Sequence, residues 1–283
     1  MKMNEKIKFL YVIVIASIIG IGTFSVIGFL SYTPTDGTTN DTTTTTTTTA
    51  PITPTLDIPE PLSYQGVDIW WLVVGGFKLK FENTVVYIDP FEIADLNDSF
   101  IEPADYVIIT HDHGPHFSLP DINKITDADT ISIVSRIPSF RIMEDYTVYP
   151  WDTLEFADVS FEFVPSYNVD KFRESGQLFH PPSFDSVGVI VDFNGTRIYH
   201  SGDSDNIPEM RNINTDIALL PVSGYAWMTP SEAADAIEAI QISSDLQYAV
   251  PMHWGHNRGS RWHAERFAEL ANCTVVILDR LVT

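Results

Sequence analysis

A short apolar strand that runs directly into three histidines is the tightest constraint in this chain. The segment YVIIT (residues 106–110) is followed at once by HDHGPH, so His111, His113 and His116 fall within six residues. A buried strand fixes its own C-terminal end, and loop side chains placed there are held by a rigid support. Alternate residues of an extended segment point the same way, so His111 and His113 can converge on one ion. His116, beyond the Gly114–Pro115 turn, either faces a second ion or completes the first. Neutral imidazole is the commonest metal ligand and suits zinc, iron, manganese or nickel. The chain holds 8 histidines in all, and three of them in one hexapeptide after a buried strand do not read as a solvated loop.

Two further segments have the same grammar. HSGDSD follows the strand TRIY and offers Asp203 in a tight turn. PMHWGH follows the strand YAV and offers His253. Singly, Asp203 reads as a turn former and His253 as a loop residue. Together with the hexapeptide they form a pattern that separate accidents do not explain.

The rest of the chain falls into four parts. Residues 1–8 are short and basic, with Lys2, Lys6 and Lys8. Residues 9–32 carry no charged side chain, and Asp36 is the first charge after them. At helical rise such a run crosses a hydrocarbon core, and the flanking lysines place the N-terminus on the cytoplasmic side. The expectation is an uncleaved transmembrane signal anchor; a cleaved signal peptide is the competing reading, and both put the remainder outside the cytoplasm. Residues 33–63 are rich in Thr and Pro and have almost nothing to bury, so a disordered stalk is expected. Sequons at Asn40, Asn97, Asn194 and Asn272 permit N-glycosylation. Residues 64–283 form the globular part.

Within that part short apolar strands dominate. VDIWWLVVGGFKLKF and TVVYIDPF read as two strands joined by a turn at Glu82–Asn83. SVGVIVDFNGTRIYH reads as a hairpin turned at Asn194–Gly195. SEAADAIEAIQ is the clearest helix, capped by Thr229 or Ser231 with Glu232 in its first turn, and HAERFAELANC is a second. LPDINKI suggests another after the histidine loop, and TVVILD reads as a closing strand. The alternation of strands and helices is irregular, which favours an α/β sandwich over a barrel.

Charge and cysteine usage narrow the function. The net charge is −22; a domain so acidic repels nucleic-acid phosphate, and no nucleic-acid partner is expected. The single cysteine, Cys273, excludes an intramolecular disulfide and a thiolate metal cluster. Beside the apolar run Val275–Leu278 it reads as a structural thiol.

THDHGPH resembles the H-x-H-x-D-H signature of the metallo-β-lactamase superfamily. GFKLKF, VVYIDPF, VPSYN, FHPP, IYHSGDSDNIPEM, DIALLPVSG, MTPSEAADA and VPMHWG, in that order, are similar to its ascorbate-phosphate lactonase-like branch, over residues 66–280. The resemblance implies a four-layer αββα sandwich with one or two divalent ions, zinc first and manganese or iron next, in a cleft between the sheets. It implies His111 and His113 on the first ion, His116 and His253 on the second, and Asp203 bridging both and orienting water. Metal-activated water would then attack a small ester, lactone or phosphodiester.

Two positions depart from the pattern. Pro115 stands where the signature has an Asp that ligates the second ion. Asp112 is the substitute carboxylate close by, but its side chain should point away from the His111/His113 face. Asn168, in VPSYN, stands where many relatives have a histidine ligand; His180, in FHPP, either fills that gap or is an exposed loop residue. Asp89 in YIDP reads as an acceptor supporting the ligand histidines or as a turn former. His200 precedes the Gly202–Asp203 turn and faces away from Asp203, and His256 and His263 either line the mouth or are simply exposed. Trp70 and Trp71 read as core or rim. Asn168, Tyr225, Trp227 and His256 are the candidate substrate contacts. The resulting expectation is a metal-dependent hydrolase held outside a membrane. The alternative, motivated by Pro115 and Asn168, is a catalytically impaired metal-binding or surface module on the same fold.

Overall fold

A computed structural model describes residues 59–94, 96, 101–136, 144–256 and 258–281. The expected anchor (9–32) and nearly all of the expected stalk (33–63) lie outside them. No helix among the described residues is long and apolar enough to cross a membrane.

The first seven strands are β1 (Leu62–Tyr64), β2 (Val67–Trp71), β3 (Phe77–Phe81), β4 (Thr84–Ile88), β5 (Tyr106–Ile109), β6 (Ile131–Ser135) and β7 (Tyr146–Val148). They form one sheet in sequence order, antiparallel from β1 to β4 and parallel from β4 to β7. The second seven are β8 (Thr153–Glu155), β9 (Ser160–Pro165), β10 (Val187–Phe193), β11 (Thr196–His200), β12 (Ile217–Pro221), β13 (Tyr248–Met252) and β14 (Thr274–Val275). They repeat the plan, antiparallel from β8 to β11 and parallel from β11 to β14. The molecule is therefore an α/β sandwich of two mixed sheets with few helices.

The period of two along each strand decides where side chains go. Phe77, Leu79, Val86, Ile88 and Ile108 of the first sheet share one buried cluster with Phe161, Phe163, Val189, Val191 and Ile198 of the second. The alternate residues Val85, Tyr87, Val107 and Ile109 lie on the opposite face, in a separate cluster with Ile122 and Ile125 of helix α1 (Leu119–Ile125). Helices α2 (Pro230–Ile240) and α3 (Arg261–Leu270) contact each other and the parallel half of the second sheet. Thr229, rather than Ser231, caps α2: its hydroxyl accepts from Glu232 N, and the Glu232 carboxylate accepts from Thr229 N at 2.7 Å.

Three local readings are revised. VDIWWLVVGGFKLKF is two strands, not one, because Leu72–Gly76 reverses the chain: Leu72 N donates to Gly76 O and Gly76 N to Val73 O. An apolar run of this kind looks continuous because both flanks and the turn are buried. TVVILD pairs only over β14, and α3 begins at Arg261, ahead of the expected start. The turns at Glu82 and at Asn194–Gly195 stand as read, with φ of 53° at Glu82 and 52° at Asn194.

The C-terminal ends of β4, β5, β11 and β13 carry Asp89, the histidine loop, Asp203 and His253, so the two parallel halves deliver the polar side chains to one place. Replacing Thr229 by Ala removes the cap of the helix that covers this half of the second sheet. It is expected to lower the unfolding free energy by about 1 kcal/mol, measured by urea denaturation.

Candidate metal centre

Asp203 is the centre of the arrangement. Its carboxylate is 3% exposed and each oxygen faces a different set of imidazoles. Oδ2 lies 3.7 Å from His111 Nε2 and 3.5 Å from His180 Nε2. Oδ1 lies 3.3 Å from His116 Nε2 and 2.8 Å from His253 Nε2. Among the described residues, His111, His113 and His180 form one group able to hold an ion, and His116, Asp203 and His253 form another. A third grouping, Asp89 with His111 and His116, overlaps both.

The donor atoms have no other use. His111 Nε2, Asp203 Oδ1 and His253 Nε2 are buried without a hydrogen-bond partner. The 2.8 Å approach of His253 Nε2 to Asp203 Oδ1 thus lacks the direction of a hydrogen bond. Buried polar atoms left unpaired are costly, and a cation between them satisfies several at once. His113 Nδ1 and His180 Nε2 stand 2.8 Å apart, a separation at which two lone pairs need a proton or a cation between them. The residues present fit a divalent metal.

Each ligand is braced from behind. Asp89 accepts from His116 Nδ1 at 2.7 Å, from Thr110 N and from Thr110 Oγ1, so it supports a ligand histidine as well as turning the chain (φ 47°). Thr110 Oγ1 also meets His111 Nδ1 at 3.0 Å. Such outer partners fix the ring orientation of metal-ligating histidines. Asn168 plays the same part for His180: its Oδ1 accepts from His180 Nδ1 and N at 3.0 and 2.9 Å. Its amide Nδ2 donates to Asp203 O, Asp205 Oδ1 and Ala226 O. Asn168 is 1% exposed and lines neither cavity beside the histidines. Its side chain is spent on His180, and the ring comes to the site from the loop.

Backbone geometry closes the site. Gly75 and Gly202 are demanded by contact. A Cβ on Gly75 would sit 2.7 Å from His116 Cε1 and 2.9 Å from His253 Nε2. Gly202 has φ +61°, and a Cβ there would meet Ser166 Oγ at 2.8 Å. His253 itself adopts φ 59°, and its N donates to Val74 O. His200 faces away, as expected: Nε2 donates to Gly75 O and Nδ1 accepts from Gly202 N. Asp112 lines a cavity of about 600 Å³ together with His111, Ser135, Arg136 and Tyr149 but joins no metal group among the described residues.

A cavity of about 260 Å³ opens beside the His116/His253 half, lined by Val74, Pro115, Tyr225, Trp227, His253, His256 and Arg258. Tyr225, Trp227 and His256 thus border the cleft. His256 Nε2 lies 2.8 Å from Glu92 Oε1. His263 caps α3 through Ser260 and is not part of this mouth. Trp71 stacks on Trp254 in the core, while Trp70 lies beneath Lys78. Arg173 and Arg258, at the rim, and the Val74–Gly75 turn carry no signal in the sequence that marks them; they are site residues only because of the fold.

Residues 68–253 match the family model described as "Beta-lactamase superfamily domain". The chain belongs to this family. A UPF0173 metal-dependent hydrolase of Archaeoglobus fulgidus is 31% identical over 198 residues, 66% of this chain and 82% of that protein. A protein of the same description from Nitratidesulfovibrio vulgaris is 31% identical over 223 residues, 72% and 87% of the two chains. Among solved structures, a proposed metal-dependent hydrolase of Parabacteroides distasonis superposes with a TM-score of 0.65 at 26% identity, covering 76% of this chain and 93% of its own. The family membership and the histidine–aspartate groups point together to divalent metal binding in this β-lactamase-superfamily domain.

Protonation follows the geometry. Burial works against charge on His116, but Asp203 and Asp89 outweigh it and push its pKa up to about 10. Burial, aided by the charge of His116, holds His111 well below its ordinary 6.5. His180 falls to about 4, chiefly through burial. Burial alone would raise Asp203; the charge held on His116 reverses this and keeps it well below 3.8. Between pH 6.5 and 4 the unfolded chain therefore binds protons that folded His180 refuses, so stability falls as pH falls. His116 acts in the other direction, its contribution being complete below 6.5 and lost as pH climbs through about 10. The metal-stripped chain is expected to show a thermal unfolding midpoint that drops between pH 7 and pH 5. A flat profile would mean that the rings are protonated in the folded chain.

Proposed function

We propose that this chain is a metal-dependent hydrolase of a small ester, lactone or phosphodiester, built on a four-layer αββα sandwich of the ascorbate-phosphate lactonase-like branch. The single observation that carries this reading is the Asp203 carboxylate shared between His111/His180 and His116/His253. Under it, His111, His113, His180 and Asp203 hold one ion, and His116, His253 and Asp203 hold a second, with zinc the first choice. Ions held there would lower the pKa of water toward neutrality and polarise the scissile carbonyl or phosphoryl group. Asp203 keeps the two ligand sets in register. Asp89, Thr110 and Asn168 fix ring orientation, and the Val74–Gly75 turn closes the floor. The uncharged run at residues 9–32 and the Thr/Pro segment that follows support display outside a membrane, with residues 1–8 cytoplasmic.

One observation favours the impaired-module reading: the signature Asp is Pro115, which supplies neither a carboxylate nor an N–H. Turnover seen in a Pro115→Asp variant and absent from the native chain would establish it.

Metal analysis and a substrate panel test the main reading. The native chain is expected to bind two ions and His116→Ala one, measured as ions per chain after dialysis. Equal metal content in the two would remove the two-ion site. With zinc or manganese, at least one of a panel of lactones and phosphodiesters should be turned over, and Asp203→Ala should abolish it. Asn168→Ala is expected to weaken the His111/His113/His180 zinc site about 10- to 100-fold by releasing His180, read by competition with a chelating dye.

A further inference from the structure

The chain is strongly acidic, with 16 Lys and Arg against 38 Asp and Glu, yet two guanidinium groups stand at the mouth of the histidine cluster. Arg173 Nη2 lies 3.4 Å from His113 Nε2, and its guanidinium sits 5.0 Å over Phe179. The Arg258 guanidinium sits 3.7 Å over Tyr225. Phe179 and Tyr225 are 5.1 Å apart, Tyr225 and Trp227 6.1 Å, and Trp227 packs on His253 at 4.2 Å. These rings form a continuous rim, with Arg173 over Phe179 at its outer end and Arg258 over Tyr225 in its middle.

The cavity beside His253 has a definite chemistry. Val74, Pro115, Tyr225 and Trp227 give it apolar walls, and Arg258 is the cation on its edge. No carboxylate lines it among the described residues. Glu92 is paired with His256, and Arg258 has no ion pair among the described residues. Pro115 matters here in a second way. A carboxylate at this position would repel an anion in the cavity, and proline replaces that charge with apolar surface. A volume of about 260 Å³ falls just below the range of roughly 300–1,000 Å³ common for drug-sized ligands, so it suits a ring or short branched group rather than an acyl chain.

We propose that the substrate joins a compact apolar group to an anionic one, with the apolar group seated against Pro115 and Trp227 and the anion paired with Arg258. This rests on the hydrolase reading and names its substrate class. The planar fork of a guanidinium binds carboxylate and phosphate oxygens in pairs. Tyr225 beneath it holds the fork in place. The required anion is a carboxylate or a phosphate ester, and the probes below separate the two.

The test uses the full-length chain, zinc-loaded and kept in mild detergent. It is titrated with 3-phenylpropionate, with phenyl phosphate and with neutral 3-phenylpropionamide. Binding is followed by the indole N–H signal of Trp227, assigned from its loss in Trp227→Phe. At least one anion is expected to bind about tenfold more tightly than the amide, as a charged hydrogen-bonded pair warrants. Arg258→Gln should bring that anion to the level of the amide, while Arg266→Gln, on α3, should change nothing. Pro115→Asp should weaken the anion and spare the amide. The preferred anion assigns the ester class. Equal affinity for anions and amide overturns the proposal. So does anion binding unchanged in Arg258→Gln, because zinc alone would then hold the anion. Zinc per chain is measured on the same samples. Full zinc with no Arg258 effect removes this inference alone, whereas a chain that takes up neither zinc, manganese nor iron removes the hydrolase reading and the substrate class with it.

Discussion

A carboxylate taken out of water must be met by positive charge or by hydrogen bonds, or the fold carries an uncompensated penalty of several kcal/mol. Asp203 is in that position, at the end of β11 between the two sheets. Imidazoles from the β5 loop, the loop before β10 and the end of β13 surround it, and much of the local architecture follows. Gly202 is needed to turn the chain into it, Gly75 to leave room for His116 and His253, and Asn168 to hold the ring of His180 toward it. The parallel half of each sheet serves the same end, because strands that run the same way bring their C-terminal loops to one edge.

Protons and metal compete for the same atoms. In the chain by itself, one strongly held proton on His116, between Asp89 and Asp203, offsets part of the buried negative charge. The remaining ligand rings are kept neutral by burial, with their lone pairs available. Such a site is set up to exchange a proton for a divalent ion. Pro115 removes one carboxylate from this balance, so the site carries less negative charge than the H-x-H-x-D-H signature supplies. The rim of Phe179, Tyr225 and Trp227 with its two guanidinium groups extends that shift outward.

Much of this was legible in the residues, for stated reasons. Short apolar runs such as TVVYI and SVGVIVDF betrayed buried strands. Asn194–Gly195 betrayed a hairpin, and Thr229 with Glu232 betrayed a helix start. The strand-end positions of His111, Asp203 and His253 betrayed a convergent polar set, because only a sheet makes distant loops neighbours. The turn at Leu72–Gly76 escaped notice because it is as apolar as the strands it joins. Asn168 suggested a ligand or a substrate contact, since sequence position alone does not say which way an amide points.

The sequence by itself determined the strand-rich class, the acidic surface, the histidine loop and the identity of most atoms able to bind metal. These depend on local periodicity and residue type. Only the tertiary structure decided the rest: that the two oxygens of Asp203 are divided between two sets of rings, that His180 enters from its loop on the arm of Asn168, and that Arg258 closes an apolar cavity walled by Pro115. Those facts depend on through-space distances between segments far apart in the chain, and packing of the two sheets sets them.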